Sequence, residues 1–169
     1  MNFSVLKLIY LFPLVLLAQV FVFSNFNLFG FIDPQIYLLY FIVLPLKINQ
    51  IILLLIAFTM GISIDLFLDL PATNAISSIT VIFLRPLIIL VLLGKSRDKI
   101  ISEGKGAILA QDLKYIALIT GLHQLVYFIL DLIILGDYLS FMRNFVFSWL
   151  ISVFLIWTLL GFKKVSLNE

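Results

Sequence analysis

Apolar residues form six long runs along the chain, and short polar segments separate them. The runs cover about residues 5–23, 34–46, 50–70, 73–93, 115–135 and 138–162. They predict six membrane-spanning helices, because about 20 apolar residues cross the hydrocarbon core of a bilayer. The second run, Gln35–Leu46, has 12 residues and would extend only about 18 Å. We expect this helix to lie beneath a recess or to be completed by neighbouring protein.

Prolines and polar residues mark the ends of these predicted helices. Asp33 and Pro34 predict an N-cap and a first helical residue for the second helix. Asn49 is a candidate cap for the third helix, which Pro71 would end. Pro86 lies inside the fourth helix, and membrane helices tolerate proline when a neighbour satisfies the freed carbonyl.

The first run could also be a signal peptide. It is long, however, and the sequence SNFNLFGF follows it without a small-residue cleavage site. We therefore interpret it as the first helix, bent near Pro13.

Composition indicates an all-α integral membrane protein with a single domain. Hydrophobic residues make up 63% of the 169 residues, charged residues make up 12%, and the mean hydropathy is +1.22. A soluble domain is about a quarter charged, so lipid must cover much of this apolar surface. The absence of cysteine excludes disulfides, thiolate metal sites and cysteine nucleophiles.

Basic residues predict the orientation in the membrane. With six spans, nine of the eleven basic residues fall on one side, namely Lys7, Lys47, Lys95, Arg97, Lys99, Lys105, Lys114, Lys163 and Lys164. The loops of the other side carry Asp33 and Asp137, and Asp69 lies near its third–fourth turn. Because basic residues favour the cytoplasmic side, both termini are predicted to be cytoplasmic.

The third helix carries Ala57, Gly61, Asp65 and Asp69 at steps of four. The two small residues would let another helix approach closely. Asp69 is expected to be solvated at the helix end. Asp65 lies about one turn deeper, where a partnered carboxylate is expected.

A buried polar network is predicted around Arg85. This residue shares a stripe of the fourth helix with Asn74 and Ser78, and its side chain is expected to lean towards Asp65. The fifth helix carries a second stripe: Thr120, His123, Gln124, Tyr127 and Asp131. We expect Arg85 to meet Asp65, Asp131, Tyr127 and Gln124.

The sixth helix carries a seam of small polar residues at steps of four: Ser140, Asn144, Ser148 and Ser152. Such a seam favours close helix packing. His123 has no nearby histidine or cysteine, so we interpret it as a hydrogen-bonded packing residue rather than a metal ligand. The sequence shows no nucleophile, base and orienting group at matching depth, and we therefore expect no enzyme. The basic loop Lys95–Lys114 contacts lipid headgroups or docks a cytoplasmic partner.

Three segments carry a resemblance to a known family: GFIDPQIYLLYFIVLP, GISIDLFLDLPATNA and FLRP. Together they resemble the rod-shape-determining protein MreD, in the form found in Bacteroidetes-type bacteria. The matching residues are Pro34, Tyr37, Pro45, Gly61, Asp65, Asn74, Ala75, Arg85 and Pro86. Ala72 departs from the family, which usually has glycine in this turn.

The resemblance implies a non-enzymatic, multi-pass subunit of the cell-elongation complex in the bacterial inner membrane, without a cofactor or a nucleic-acid partner. The implied partners are an MreC-like protein, an MreB-like cytoskeleton, a RodA-like glycosyltransferase and a class B penicillin-binding transpeptidase. The family's fold is similar to that of the substrate-binding subunits of vitamin transporters. That similarity supplies the alternative, a subunit that binds a small molecule between the outer helix ends, near Asp65, Asn74 and Asp131.

Overall fold

The computed structural model describes residues 3–24, 32–94, 97–102, 112–135 and 138–165. These segments confirm the all-α fold class. The helices are α1 (Phe3–Leu17, continued by a π-helix over Ala18–Phe23), α2 (Leu38–Val43), α3 (Gln50–Leu68), α4 (Thr73–Leu93), α5 (Arg97–Ser102), α6 (Leu113–Leu135) and α7 (Tyr138–Val165). Most of the predicted basic loop, at 95–96 and 103–111, lies outside the described residues.

Among the described residues, four helices are long and apolar enough to cross a membrane: Gln50–Leu68, Thr73–Leu93, Leu113–Ile134 and Phe141–Gly161. Large apolar side chains such as Leu66, Phe83 and Ile133 are exposed on their surfaces. A bilayer would cover such side chains, so these four helices indicate a membrane protein. The first predicted span corresponds to α1 and its π-helical continuation, which together cover Phe3–Phe23. The second predicted span contracts to the six residues of α2.

The prediction of a helix over 34–46 is therefore wrong in its bounds, since α2 spans only Leu38–Val43. Tyr37, not Asp33, precedes its first helical residue. The N–H groups of Asp33 and Gln35 donate to the hydroxyls of Ser148 and Ser152, each over 2.9 Å. Residues 33–35 thus bind side chains of α7 instead of opening a helix. The helix ends at Leu44, whose ψ of 130° is extended, as the following proline favours.

Helices α3, α4, α6 and α7 pack as successive neighbours, and α1 packs on α3. Helix α2 lies inside this arrangement and contacts α1 and α6. Its residues Leu38, Tyr40, Phe41 and Ile42 are buried. Protein surrounds the short helix, which explains why six residues suffice there.

A tight turn joins α3 to α4, and two residues in it have left-handed backbone. Asp69, which ends α3, has φ 56°, and Ala72, which precedes α4, has φ 64°. Aspartate and asparagine tolerate this region, whereas other L-residues are strained in it by about 1–2 kcal/mol. The strain falls on Ala72, where the MreD family usually has glycine.

Ala72→Gly is therefore expected to stabilise the protein. Relief of the strain exceeds the extra backbone entropy that glycine gains on unfolding, and we expect a net gain of about 1 kcal/mol. Thermal unfolding in detergent measures it. Ala75→Gly, in the helical part of α4, is the matched control and should destabilise. A lower melting temperature for Ala72→Gly would contradict the assigned backbone.

Pro86 interrupts α4, and a neighbouring side chain compensates for it. Proline has no N–H, so the carbonyl of Ile82, four residues earlier, loses its helical partner. The Gln50 side chain donates Nε2–H to this carbonyl over 2.7 Å. Gln50, the first residue of α3, thus replaces the hydrogen-bond donor that α4 lacks at Pro86.

We expect Gln50→Leu to lower the free energy of unfolding by about 1–2 kcal/mol, because the Ile82 carbonyl is left without a donor. In a Pro86→Ala background the restored N–H can bind this carbonyl, so the same substitution should cost less. A double-mutant cycle on unfolding in detergent measures the difference. Equal costs in the two backgrounds would show that Gln50 does not act through Ile82.

Candidate functional site

Buried polar side chains concentrate where the loop 32–37 meets α1, α4, α6 and α7. We call this set the polar core; its members are Gln19, Gln35, Tyr37, Asp65, Asn74, Ser78, His123, Gln124, Ser148 and Ser152. Each of these residues is less than a tenth exposed. Polar groups buried to this degree need hydrogen-bond partners, and the partners define what the site does.

Asp65 binds the start of α4. One carboxylate oxygen accepts from the backbone N–H and the side-chain amide of Asn74, over 3.0 and 2.9 Å. The other oxygen accepts from the Ala75 N–H over 2.8 Å. The first N–H groups of a helix lack internal partners, so Asp65 caps α4 from the neighbouring helix. Its negative charge also lies at the positive end of the α4 dipole.

Asn74 links Asp65 to a cluster around Tyr37. The Tyr37 hydroxyl lies 3.2 Å from Asn74 Oδ1, 3.1 Å from Ser78 Oγ and 2.6 Å from His123 Nε2. Because the Asn74 amide donates to Asp65, its oxygen faces Tyr37 and needs a donor. The Tyr37 hydroxyl supplies that proton and accepts from His123, which assigns the proton of the imidazole to Nε2. The buried Nδ1, without a partner, then carries a lone pair rather than an N–H.

The Tyr37 hydroxyl is the shared partner of this cluster, so Tyr37→Phe is expected to destabilise by about 1–3 kcal/mol. Tyr40→Phe is the matched control. Tyr40 packs edge-on against Phe12, and no hydrogen bond of its hydroxyl occurs within the described segments. Denaturant unfolding compares the two variants. Equal stabilities would contradict the cluster.

Side chains from distant helices hold the backbone of the loop 32–37. Gln19, in the π-helix, accepts from the N–H groups of Ile36 and Tyr37 over 2.8 and 3.3 Å and donates to the Pro34 carbonyl over 3.2 Å. Ser148 and Ser152 accept from the loop on its other side, as described above. Non-helical backbone at membrane depth requires such protein partners. The loop is thus fixed between α1 and α7.

Gln124 joins the same site through Ser152, to which its Nε2–H donates over 2.8 Å. Ser152 Oγ therefore lies within hydrogen-bond distance of both Gln124 and the Gln35 N–H. The side-chain oxygens of Gln35 and Gln124 are buried without a partner. With His123 Nδ1, these two oxygens are the buried acceptors of the polar core that lack a donor among the described residues.

Arg85 lies outside the polar core, and the predicted pairing with Asp65 is wrong. Its Nε donates to the Tyr115 hydroxyl over 2.7 Å, and Nη2 donates to the Leu44 carbonyl over 2.8 Å. Asp65 lies beside Asn74 and Ala75, and the 11 residues from Asn74 to Arg85 rise by about 16 Å. The two charges are therefore at different depths.

The remaining predicted residues of the network and of the serine seam lie on α6 and α7. Tyr127 and Asp131, on α6, lie close enough to the Asp33 carboxyl to interact with it, and the hydrogen bonds of Arg85 within the described segments do not involve them. Asn144 is half-buried and accepts from the neighbouring Arg143 over 3.4 Å. Ser140 belongs to the backbone of α7, but its side chain lies outside the described residues.

Of the two small residues of α3, Gly61 lies at the interface with α4, and Ala57 is one turn away along the same helix. Ala57 is fully buried. A Cβ added at Gly61 would lie 2.5 Å from the Cα of Ala75. No side chain larger than hydrogen fits at Gly61 without a shift of the backbone.

Sequence reasoning did not identify Gln19, Gln50 or Tyr115. Gln19 is the one polar side chain in the apolar run from Val5 to Phe23 apart from Lys7 and Tyr10, and that isolation is the signal that could have found it. Tyr115 gives no signal of this kind, because aromatic residues are common at helix ends in membranes.

The geometry does not form a catalytic triad. Ser78 Oγ lies 3.5 Å from His123 Nε2, but the same nitrogen binds Tyr37 more closely, and no acid orients Nδ1. A serine nucleophile requires both. Within the described segments, no three histidine, cysteine or acidic residues are placed to hold a metal ion.

Comparisons of this chain with protein-family models, curated proteins and solved structures find no match.

Proposed function

We propose that this protein is a non-enzymatic, MreD-like subunit of a bacterial cell-elongation complex. The proposal is supported by the hydrogen bonds of Asp65 and Asn74, two residues of the resemblance, which hold parts of the chain's own fold. Asp65 and Asn74, which belong to the segment GISIDLFLDLPATNA, bind the start of α4 and Tyr37. Residues that hold the chain's own backbone suit a scaffold better than a reaction site.

The outer surface suits partner helices as well as lipid. Exposed apolar side chains cover the long helices, including Leu66 on α3, Val91 on α4, Ile133 on α6 and Phe154 on α7. We propose that an MreC-like protein binds this surface. Through it the protein would join an MreB-like cytoskeleton, a RodA-like glycosyltransferase and a class B penicillin-binding transpeptidase. The proposal places both termini in the cytoplasm and the protein in the inner membrane.

Affinity purification in mild detergent, followed by mass spectrometry of proteins and small molecules, tests this function. We expect an MreC-like protein and the elongation synthases to copurify, in amounts well above those recovered with an unrelated tagged membrane protein. Recovery of transporter subunits with a stoichiometric small molecule would contradict the proposal.

The alternative function, a substrate-binding subunit of a small-molecule transporter, has one specific observation in its favour. The buried side-chain oxygens of Gln35 and Gln124 lack donors, and a ligand with N–H groups could supply them. The small-molecule fraction of the same purification decides between the two functions. A ligand that is absent after Gln124→Leu, with normal folding, would favour transport.

A further inference from the structure

We propose that Arg85 is the inner part of a site for the phosphate group of an anionic phospholipid. The site lies at the basic end of the bundle, which we define by Lys47, Lys114 and helix α5. It is separate from the polar core and does not depend on the proposed role in cell elongation.

The first observation is a buried charge that has no charged partner among the described residues. Arg85 is 3% exposed, and its two hydrogen-bond partners, the Tyr115 hydroxyl and the Leu44 carbonyl, are neutral. Nη1 is buried without a partner. No carboxylate binds the guanidinium within the described part of the chain. A charged group at membrane depth is costly and is normally paired, so the guanidinium has both the charge and a free donor for an anion.

The second observation is the charge of the surroundings. Lys47 lies three residues beyond Leu44, and Lys114 directly precedes Tyr115; both are exposed. The two contacts of Arg85 therefore lie beside exposed lysines. Asp112, the nearest acid in sequence to Lys114, accepts from its backbone N–H over 2.9 Å.

The chemistry of this arrangement favours phosphate. Guanidinium groups bind phosphate through two parallel N–H donors. Basic recesses between membrane helices recognise the headgroups of anionic lipids. A phospholipid also supplies acyl chains for the exposed apolar sides of α3 and α4, which free phosphate does not.

Because Nη1 is buried, neighbouring residues must move for a headgroup to reach it. The turn between α2 and α3 follows Leu44, whose carbonyl accepts from Arg85 Nη2. This turn is closed by a long hydrogen bond of 3.4 Å from the Ile48 N–H to the Pro45 carbonyl. Pro45 and Lys47 are exposed within it.

The test is binding of phosphatidylglycerol to the purified, delipidated chain, measured by native mass spectrometry and by thermal unfolding. Phosphatidylcholine and inorganic phosphate are the comparison ligands. We expect phosphatidylglycerol to bind and to raise the melting temperature more than either comparison ligand does. Loss of one charge-assisted contact in Arg85→Gln should weaken its binding about tenfold. Arg143→Gln, which removes an exposed charge from the first turns of α7, should bind as the unaltered chain does.

Equal binding of phosphatidylglycerol by Arg85→Gln and Arg143→Gln would overturn the proposal. Stabilisation by inorganic phosphate alone would also overturn it and would indicate an adventitious ion only. If Arg85→Gln does not fold, the double variant Lys47→Gln with Lys114→Gln provides the test. Its exposed positions should tolerate substitution, and unchanged lipid binding in this variant would contradict the site.

Discussion

Asp65→Ala is expected to lower the free energy of unfolding by about 3–5 kcal/mol, because two backbone N–H groups and one amide lose their acceptor. These donors belong to Asn74 and Ala75 in the first turn of α4. They are buried, so water cannot replace the carboxylate. The substitution also removes the negative charge at the positive end of the α4 dipole.

Thermal and denaturant unfolding in detergent measure the effect. Asp65→Asn keeps the size of the side chain and one acceptor oxygen, so its cost should be intermediate. Asp69→Asn is the matched control, since Asp69 is exposed and asparagine tolerates its left-handed backbone. A stability for Asp65→Ala similar to that of Asp69→Asn would show that Asp65 does not cap α4.

Gly61→Ala is expected to cost about 2–3 kcal/mol, because the added methyl group overpacks the α3–α4 interface. The new Cβ would lie 2.5 Å from the Cα of Ala75 and 2.7 Å from the carbonyl oxygen of Asn74. These are backbone atoms, which cannot move aside by a rotamer change. Separation of the helices would in turn lengthen the bonds from Asp65 to α4.

Gly161→Ala is the matched control for this prediction. A Cβ at Gly161 meets nothing within 4 Å, and alanine favours a helix over glycine by about 1 kcal/mol. This variant should therefore be as stable as the unaltered chain or slightly more stable. Equal free energies of unfolding for Gly61→Ala and Gly161→Ala would contradict the close approach of α3 and α4 at Gly61.

The long helices could be predicted from sequence because apolar run length and helix-ending residues act locally. Helix α4 spans Thr73–Leu93 as the pattern predicts, and α3 starts after Asn49, whose side chain accepts from the Ile51 N–H over 2.8 Å. Long apolar runs leave a membrane helix few alternatives. The burial of Asp65 could also be read from its depth in such a run.

The structure of the loop 32–37 could not be predicted in this way. Its backbone partners, Ser148 and Ser152, lie 115 and 117 positions further along the chain. A local pattern such as Asp33-Pro34 reports a preference for a helix start, and these distant hydroxyls override it. The sequence shows the serine seam on the last helix, but it does not show that Ser148 and Ser152 bind the loop 32–37.

The partners of Arg85 could not be predicted from the direction of α4. Side chains lean towards the start of their helix, which predicts a contact between Arg85 and Asp65. The Tyr115 hydroxyl near the start of α6 and the carbonyl that ends α2 offer hydrogen bonds elsewhere. Partner position depends on how the helices are arranged, which a single sequence does not contain.

We propose that the polar core holds the protein's own fold rather than a ligand. Recovery of the proposed MreC-like partner per amount of folded protein tests this role, for Tyr37→Phe and Gln124→Leu against the unaltered chain. We expect this ratio to stay constant while the melting temperature of Tyr37→Phe falls. A variant that folds with normal stability but no longer recovers the partner would instead assign the polar core to direct recognition.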